Sequence, residues 1–85
     1  MTKATAGERA LVLRDLFLEK NWRVGGPNKI LNIAWIVVTS QTAGAIIDVW
    51  EDGSIWIRGT SGPRPQGRSE AEAVLRGAGL GEYLR

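Results

Sequence analysis

Aliphatic residues recur at every second position in Ile47-Asp48-Val49 and Ile55-Trp56-Ile57, with Asp48, Trp50, Ser54, Trp56 and Arg58 on the other parity and Glu51-Asp52-Gly53 between the two runs. Period-2 alternation on both sides of a short polar turn predicts a β-hairpin. A two-residue Asp52-Gly53 loop pairs Glu51 with Ser54 and leaves both faces mixed. A three-residue loop with Gly53 in the left-handed conformation pairs Trp50 with Ser54 and Asp48 with Trp56. One face then carries Ile47, Val49, Ile55 and Ile57. The other carries Ile46, Asp48, Trp50, Ser54, Trp56 and Arg58. A one-residue slip exchanges the faces, so the clean segregation selects the longer loop.

Upstream, Thr5-Ala6-Gly7-Glu8 is a capping box. It predicts a helix from Ala6 to Lys20 with Ala6, Ala10, Leu13, Leu16 and Phe17 on the core side. A second stripe of Leu11, Leu18 and Trp22 is expected to add core area, and Asn21 is expected to end the helix. Trp22-Arg23-Val24 is a candidate short strand, and Gly25-Gly26-Pro27-Asn28 reads as a loop. Ile30 to Thr39 is β-branched and apolar at both parities, which predicts an inner strand covered on both faces, with Trp35 in the core. Ser40 to Gly44 is a turn.

Gly59 to Arg68 holds prolines and glycines and reads as an exposed loop. Ser69-Glu70-Ala71-Glu72 is a second capping box, opening a helix to Arg76 with Ala71, Val74 and Leu75 inward. Gly77, Gly79 and Gly81 break it. Glu82 to Arg85 is expected to form a last turn, with Leu80, Tyr83 and Leu84 covering the core edge. The predicted class is α+β in a single domain spanning residues 1–85. It comprises an N-terminal helix, a three-stranded antiparallel meander (four-stranded if Trp22-Arg23-Val24 pairs) and a C-terminal helix, with the helices on one face of the sheet.

Composition narrows the chemistry. With 85 residues, 44% hydrophobic and 24% charged, the chain is ordinary for a globular domain and argues against disorder. It contains no cysteine and no histidine. Disulfides and thiolate metal sites are therefore excluded, and the commonest general base and metal ligand are missing. No metal or cofactor is expected. A cysteine-free chain fits a reducing compartment. No run is long and apolar enough for a membrane span, and Met1 to Thr5 lacks the apolar core of a signal peptide. The expected location is cytoplasmic, with no membrane partner.

Net charge is +2. No acid falls between Glu19 and Asp48, or between Asp52 and Glu70, while Arg58, Arg64 and Arg68 lie in that second gap. This distribution gives either solubilising loops or an anion-facing rim. Asp48 is the one mid-strand acid, expected on a solvated face in a loose pair with Arg58. No second carboxylate is spaced for acid–base work, so the chain is read as non-enzymatic. Gly77-Ala78-Gly79-Leu80-Gly81 follows a helix instead of a strand and lacks the mechanics of a phosphate loop.

Four tryptophans in this length carry the strongest functional signal. Trp22 is placed at the helix end and Trp35 in the core. Trp50 and Trp56 lie on the hairpin face left over once the core is satisfied. They either form a second small core closed by the 59–68 loop or a binding pair, since Trp and Arg concentrate in hot spots.

Leu16-Phe17-Leu18-Glu19-Lys20-Asn21-Trp22-Arg23-Val24 and Val74-Leu75-Arg76-Gly77-Ala78-Gly79-Leu80-Gly81-Glu82-Tyr83-Leu84 resemble segments of HicA toxins. The helix–strands–helix order is shared with those toxins and with double-stranded-RNA-binding domains. Gly67 to Ala73 resembles a HicB antitoxin segment. HicA ribonucleases use a strand histidine, which this chain lacks. Double-stranded-RNA-binding domains open their second helix with lysines, where this chain has Glu70 and Glu72. The resemblance implies an architecture and neither activity. The expectation is a binding module of inhibitor or adaptor type, by analogy of the kind phages and mobile elements encode. It docks on a protein through Trp50, Trp56, Arg58 and Asp48, with Arg64 and Arg68 at the rim, as a monomer or homodimer. Nucleic acid on the same face is the alternative.

Overall fold

Thr5 opens the first helix as its capping box requires. Its hydroxyl accepts the Glu8 N–H at 3.1 Å, and the Glu8 carboxylate accepts the Thr5 N–H at 3.3 Å. The computed structural model describes residues 5–59 and 64–85. Helix α1 spans Ala6–Glu19. It ends in a Schellman motif, with Asn21 at φ 66 and the Trp22 N–H donating to the Phe17 carbonyl at 3.0 Å. The Trp22 ring meets Phe17 edge-on at 5.2 Å, the apolar contact that accompanies such a cap. Asn21 and Trp22 thus serve as expected.

Four strands follow: β1 (Arg23–Ile30), β2 (Ile33–Thr39), β3 (Gly44–Trp50) and β4 (Ile55–Arg58). They form one antiparallel meander in the order β1-β2-β3-β4. Helix α2 (Arg68–Gly77) and a single 3-10 turn (Gly81–Tyr83) close the chain. The hairpin register is the one the alternation predicts. Val49 faces Ile55, Asp48 faces Trp56 and Ile47 faces Ile57. The Gly53 N–H returns to the Trp50 carbonyl at 2.9 Å, with Gly53 at φ 96.

One core forms between the sheet and the helices. Ala6, Ala10, Leu13 and Phe17 from α1 meet Ala34, Ile36 and Val38 of β2 and Ile47 and Val49 of β3. Ala71 and Leu75 of α2 complete it over Ile55 and Ile57. Both helices therefore lie on the aliphatic face of the hairpin. The C-terminus joins through a parallel bridge from Leu84 to Ile55, and Leu80 and Leu84 pack against the core edge as expected. Tyr83 lies outside the core, its ring 5.4 Å below the Arg9 guanidinium.

Several local expectations change. Gly25-Gly26-Pro27-Asn28 is not a loop; it continues β1, with a bulge between Gly25 and Asn28. An edge strand tolerates proline and a bulge that an inner strand does not, so turn-like composition misleads there. The reversal comes at Leu31-Asn32, with Leu31 at φ 50. Strand β2 is internal, and among the described residues it is covered on one face only. Leu11 and Leu18 stay exposed, because the sheet lies against one side of α1. The second capping box does not form. Helix α2 begins at Arg68, so Ser69 falls inside it, and its N-cap is Gly67, which makes no side-chain cap.

Gly67 sets that start. Its N–H donates to the Gly44 carbonyl at 2.7 Å, and the Gly44 N–H donates to Pro65 at 3.0 Å. These bonds lace residues 65–67 beside the beginning of β3. A Cβ on Gly67 falls 2.8 Å from the Ala43 Cβ and 3.2 Å from the Gly44 nitrogen. The middle of the 59–68 loop, and with it the expected closure over the tryptophans, lies outside the described residues.

Gly67→Ala is therefore expected to overpack this junction and lower stability by about 2 kcal/mol. Gly53→Ala is expected to cost about 1–2 kcal/mol through its positive φ alone, since the nearest obstacle is the flexible end of Arg9. Urea unfolding of both variants measures these costs; an unchanged midpoint for Gly67→Ala refutes the junction's role.

Candidate functional site

The parity that sends the aliphatics to the helices leaves the other sheet face without a covering element among the described residues. Registers place its side chains in rows across the strands. Ile30, Ile33 and Trp50 form one row. Asn28, Trp35, Asp48 and Trp56 form the next, across all four strands. Gly25, Val37, Ile46 and Arg58 form a third. Trp56 is 49% exposed and Ile30 59% exposed, while Trp35, Trp50, Ile33 and Ile46 are half-buried by their neighbours.

Asp48 occupies the middle of this face, between Trp35 on one side and Trp56 on the other. It is only 5% exposed. Arg58 holds it in a fork: Nε lies 2.6 Å from Oδ2, and Nη2 donates to Oδ1 at 2.8 Å. The solvated, loosely paired acid expected from the sequence is thus an enclosed carboxylate in a two-pronged ion pair. Its walls are indoles, which remove water from the carboxylate, and the guanidinium replaces that water with two charge-assisted bonds. Arg58 is half exposed, so its charge is spent on Asp48 while its stem extends the apolar surface.

Trp35 joins this face and not the core, contrary to the sequence expectation. The clue was available in parity. Ala34, Ile36 and Val38 supply a purely aliphatic set, whereas the set with Trp35 ends in Thr39. Trp50 is half-buried, and its indole N–H is enclosed without an acceptor among the described residues. Trp56 is the most exposed indole.

The two rim arginines are not gathered here. Arg64 donates to the Ser40 and Gln41 carbonyls at 2.7 and 2.9 Å, on the β2–β3 turn at the end of β3 away from Trp50. Arg68 begins α2 and lines a shallow depression with Ile57, Glu72, Arg76 and Leu84, on the helix side of β4. Asp48, Trp50, Trp56 and Arg58 form the common site, with Trp35 added. Among the described residues no group of acidic side chains could hold a metal ion, and no helix is long and apolar enough to cross a membrane.

The ion pair makes a double-mutant cycle informative. Arg58→Ala is expected to cost about 2 kcal/mol by leaving the Asp48 carboxylate enclosed and unpaired. Adding Asp48→Val should recover most of that loss; additive costs in urea melts refute the coupling. Trp50→Ala is expected to cost about 2 kcal/mol and Trp56→Ala less than about 1 kcal/mol, in proportion to the area each has enclosed. Compared with protein-family models, curated proteins and solved structures, the chain finds no match in any of the three.

Proposed function

We propose that this chain is a non-enzymatic binding module, an inhibitor or adaptor of the cytoplasm, that docks on another protein through its open sheet face. The observation that carries the reading is the continuous apolar surface of Trp35, Trp56, Ile30, Val37 and Ile46 on a face no described element covers. Apolar patches of this kind on small domains mark interaction sites, and rigid indoles lose little entropy on docking.

A protein partner is favoured over nucleic acid by electrostatics. Phosphate recognition needs cationic groups that are available to the ligand. At the centre of this face Arg58 is neutralised by Asp48, and Arg68 lies on the helix side of the molecule. The position between Trp35 and Trp56 is held by the Asp48 carboxylate, with Ile33, Val37 and Ile46 around it, where a base-stacking surface calls for further aromatic or cationic groups. The non-enzymatic reading rests on Asp48 as well. The enclosed carboxylate is committed to a guanidinium. The likeness to HicA toxins stays one of element order, with β1 as an additional strand.

Tagged wild type and Trp56→Ala baits, presented to nuclease-treated lysate of the source cells, test the reading. A protein retained at least ten-fold better by wild type is expected. Equal retention by both baits, or loss of all retained material on nuclease treatment, refutes it.

A further inference from the structure

We infer that the domain carries a ligand site on its helix side: an apolar cavity beside the Glu51-Asp52-Gly53 turn that takes a short aliphatic carboxylate, its chain inside and its head group on Arg9. The site is separate from the open sheet face and does not rest on the docking reading.

The cavity lies where α1, the β3–β4 hairpin and the C-terminal 3-10 turn meet, and its volume is about 210 Å³. Its floor is the buried aliphatic set Leu13, Val49 and Ile55. Val12 lines it as well and is 64% exposed, so the apolar lining runs from the core out to the surface. A space of this size is the liquid share of about seven waters. An apolar lining offers water few partners, and part of the space is open mouth. An aliphatic chain of about five or six carbons therefore suits it better than water does.

Arg9 supplies the polar group. Its guanidinium lines the cavity against Gly53, where a Cβ would collide with Nη1. It lies 5.4 Å from the centre of the Tyr83 ring, a cation–π contact that provides no hydrogen-bond acceptor. Among the described residues no side chain pairs with its charge. The other arginines differ. Arg14, Arg58, Arg64 and Arg76 each donate to a carboxylate or a carbonyl. Arg23, Arg68 and Arg85 are exposed and open to water, whereas Arg9 is half-buried. The acids next to Arg9 and next to Gly53 are engaged elsewhere. Glu8 accepts from Thr5, and Asp52 accepts from the Ser54 N–H and hydroxyl at 2.9 and 2.6 Å.

A half-buried guanidinium without an acceptor calls for an anion. A carboxylate matches its fork with two charge-assisted bonds, and one guanidinium balances the single charge of a carboxylate better than the double charge of a phosphate. Tail and head are recognised together. Burial of the chain on the aliphatic floor holds the ligand, and the fork selects its anionic end.

Amide NMR spectra of the full, isotope-labelled chain, titrated with hexanoate to about 20 mM, test this. Saturable shifts are expected at Arg9, Val12, Gly53 and Tyr83, and none at Trp35 or Trp56. Hexan-1-ol is expected to shift the same amides with about ten-fold weaker affinity, since it lacks the charge-assisted bonds. Arg9→Gln, its fold checked in the same spectrum, is expected to bind hexanoate as weakly as wild type binds the alcohol. If that variant fails to fold, the comparison of acid and alcohol on wild type decides alone. Absence of saturable shifts at these amides overturns the inference. So does equal affinity for acid and alcohol, or full hexanoate affinity in folded Arg9→Gln. Shifts confined to the open face overturn it too, and leave the docking reading standing.

Discussion

The turn at Glu51-Asp52-Gly53 fixes the parity of the sheet, and everything else in the molecule follows from that parity. With Gly53 at φ 96, Trp50 closes the hairpin against Ser54, and Ile46, Ile47, Asp48 and Val49 each have one fixed partner on β4. Side chains alternate between faces, so one residue more or less in the turn would present mixed faces to the helices. As built, Ile47, Val49, Ile55 and Ile57 all enter the core. The same geometry obliges Asp48, Trp50, Trp56 and Arg58 to leave it. The binding face is the complement of the core, produced by the same turn.

A charged pair at the centre of an apolar face needs a physical account. Asp48 stands between two indoles, and water is largely excluded from it. An enclosed carboxylate without a partner is costly, and the Arg58 fork removes most of that cost. The pair adds little net stability compared with two apolar residues of the same shape. Its effect is on the surface: it holds Arg58 across the row beside Trp56 and satisfies both charges within the face. A polar anchor of this kind also penalises any register that separates Asp48 from Arg58, since each would lose its partner.

Sequence patterns were legible wherever a local rule decided the outcome. The Thr5–Glu8 capping box, the Asn21 terminator with Trp22 behind it, and the β3–β4 register all depend on residues close in the chain. Patterns misled where a distant contact competed with a local one. Ser69-Glu70-Ala71-Glu72 has the composition of a helix start, yet Gly67 is pinned to Gly44, and the helix begins two residues earlier, with Gly67 at its N-cap. Gly25-Gly26-Pro27-Asn28 has the composition of a turn, yet it lies beside β2, which uses it as an edge.

The sequence by itself determined the order of helix, antiparallel strands and helix, with the fourth strand left open, the aliphatic face of the hairpin and the presence of a tryptophan-bearing face opposite. These rest on periodicity, which any chain segment carries within itself. Only the tertiary structure decided that Trp35 belongs to that open face, that Asp48 is enclosed, and that Arg64 and Arg68 stand apart from it. Strand β2 is apolar at both parities apart from Thr39, a clue too slight to orient it alone, so its orientation is set by its pairing with β3 and by the seat of α1.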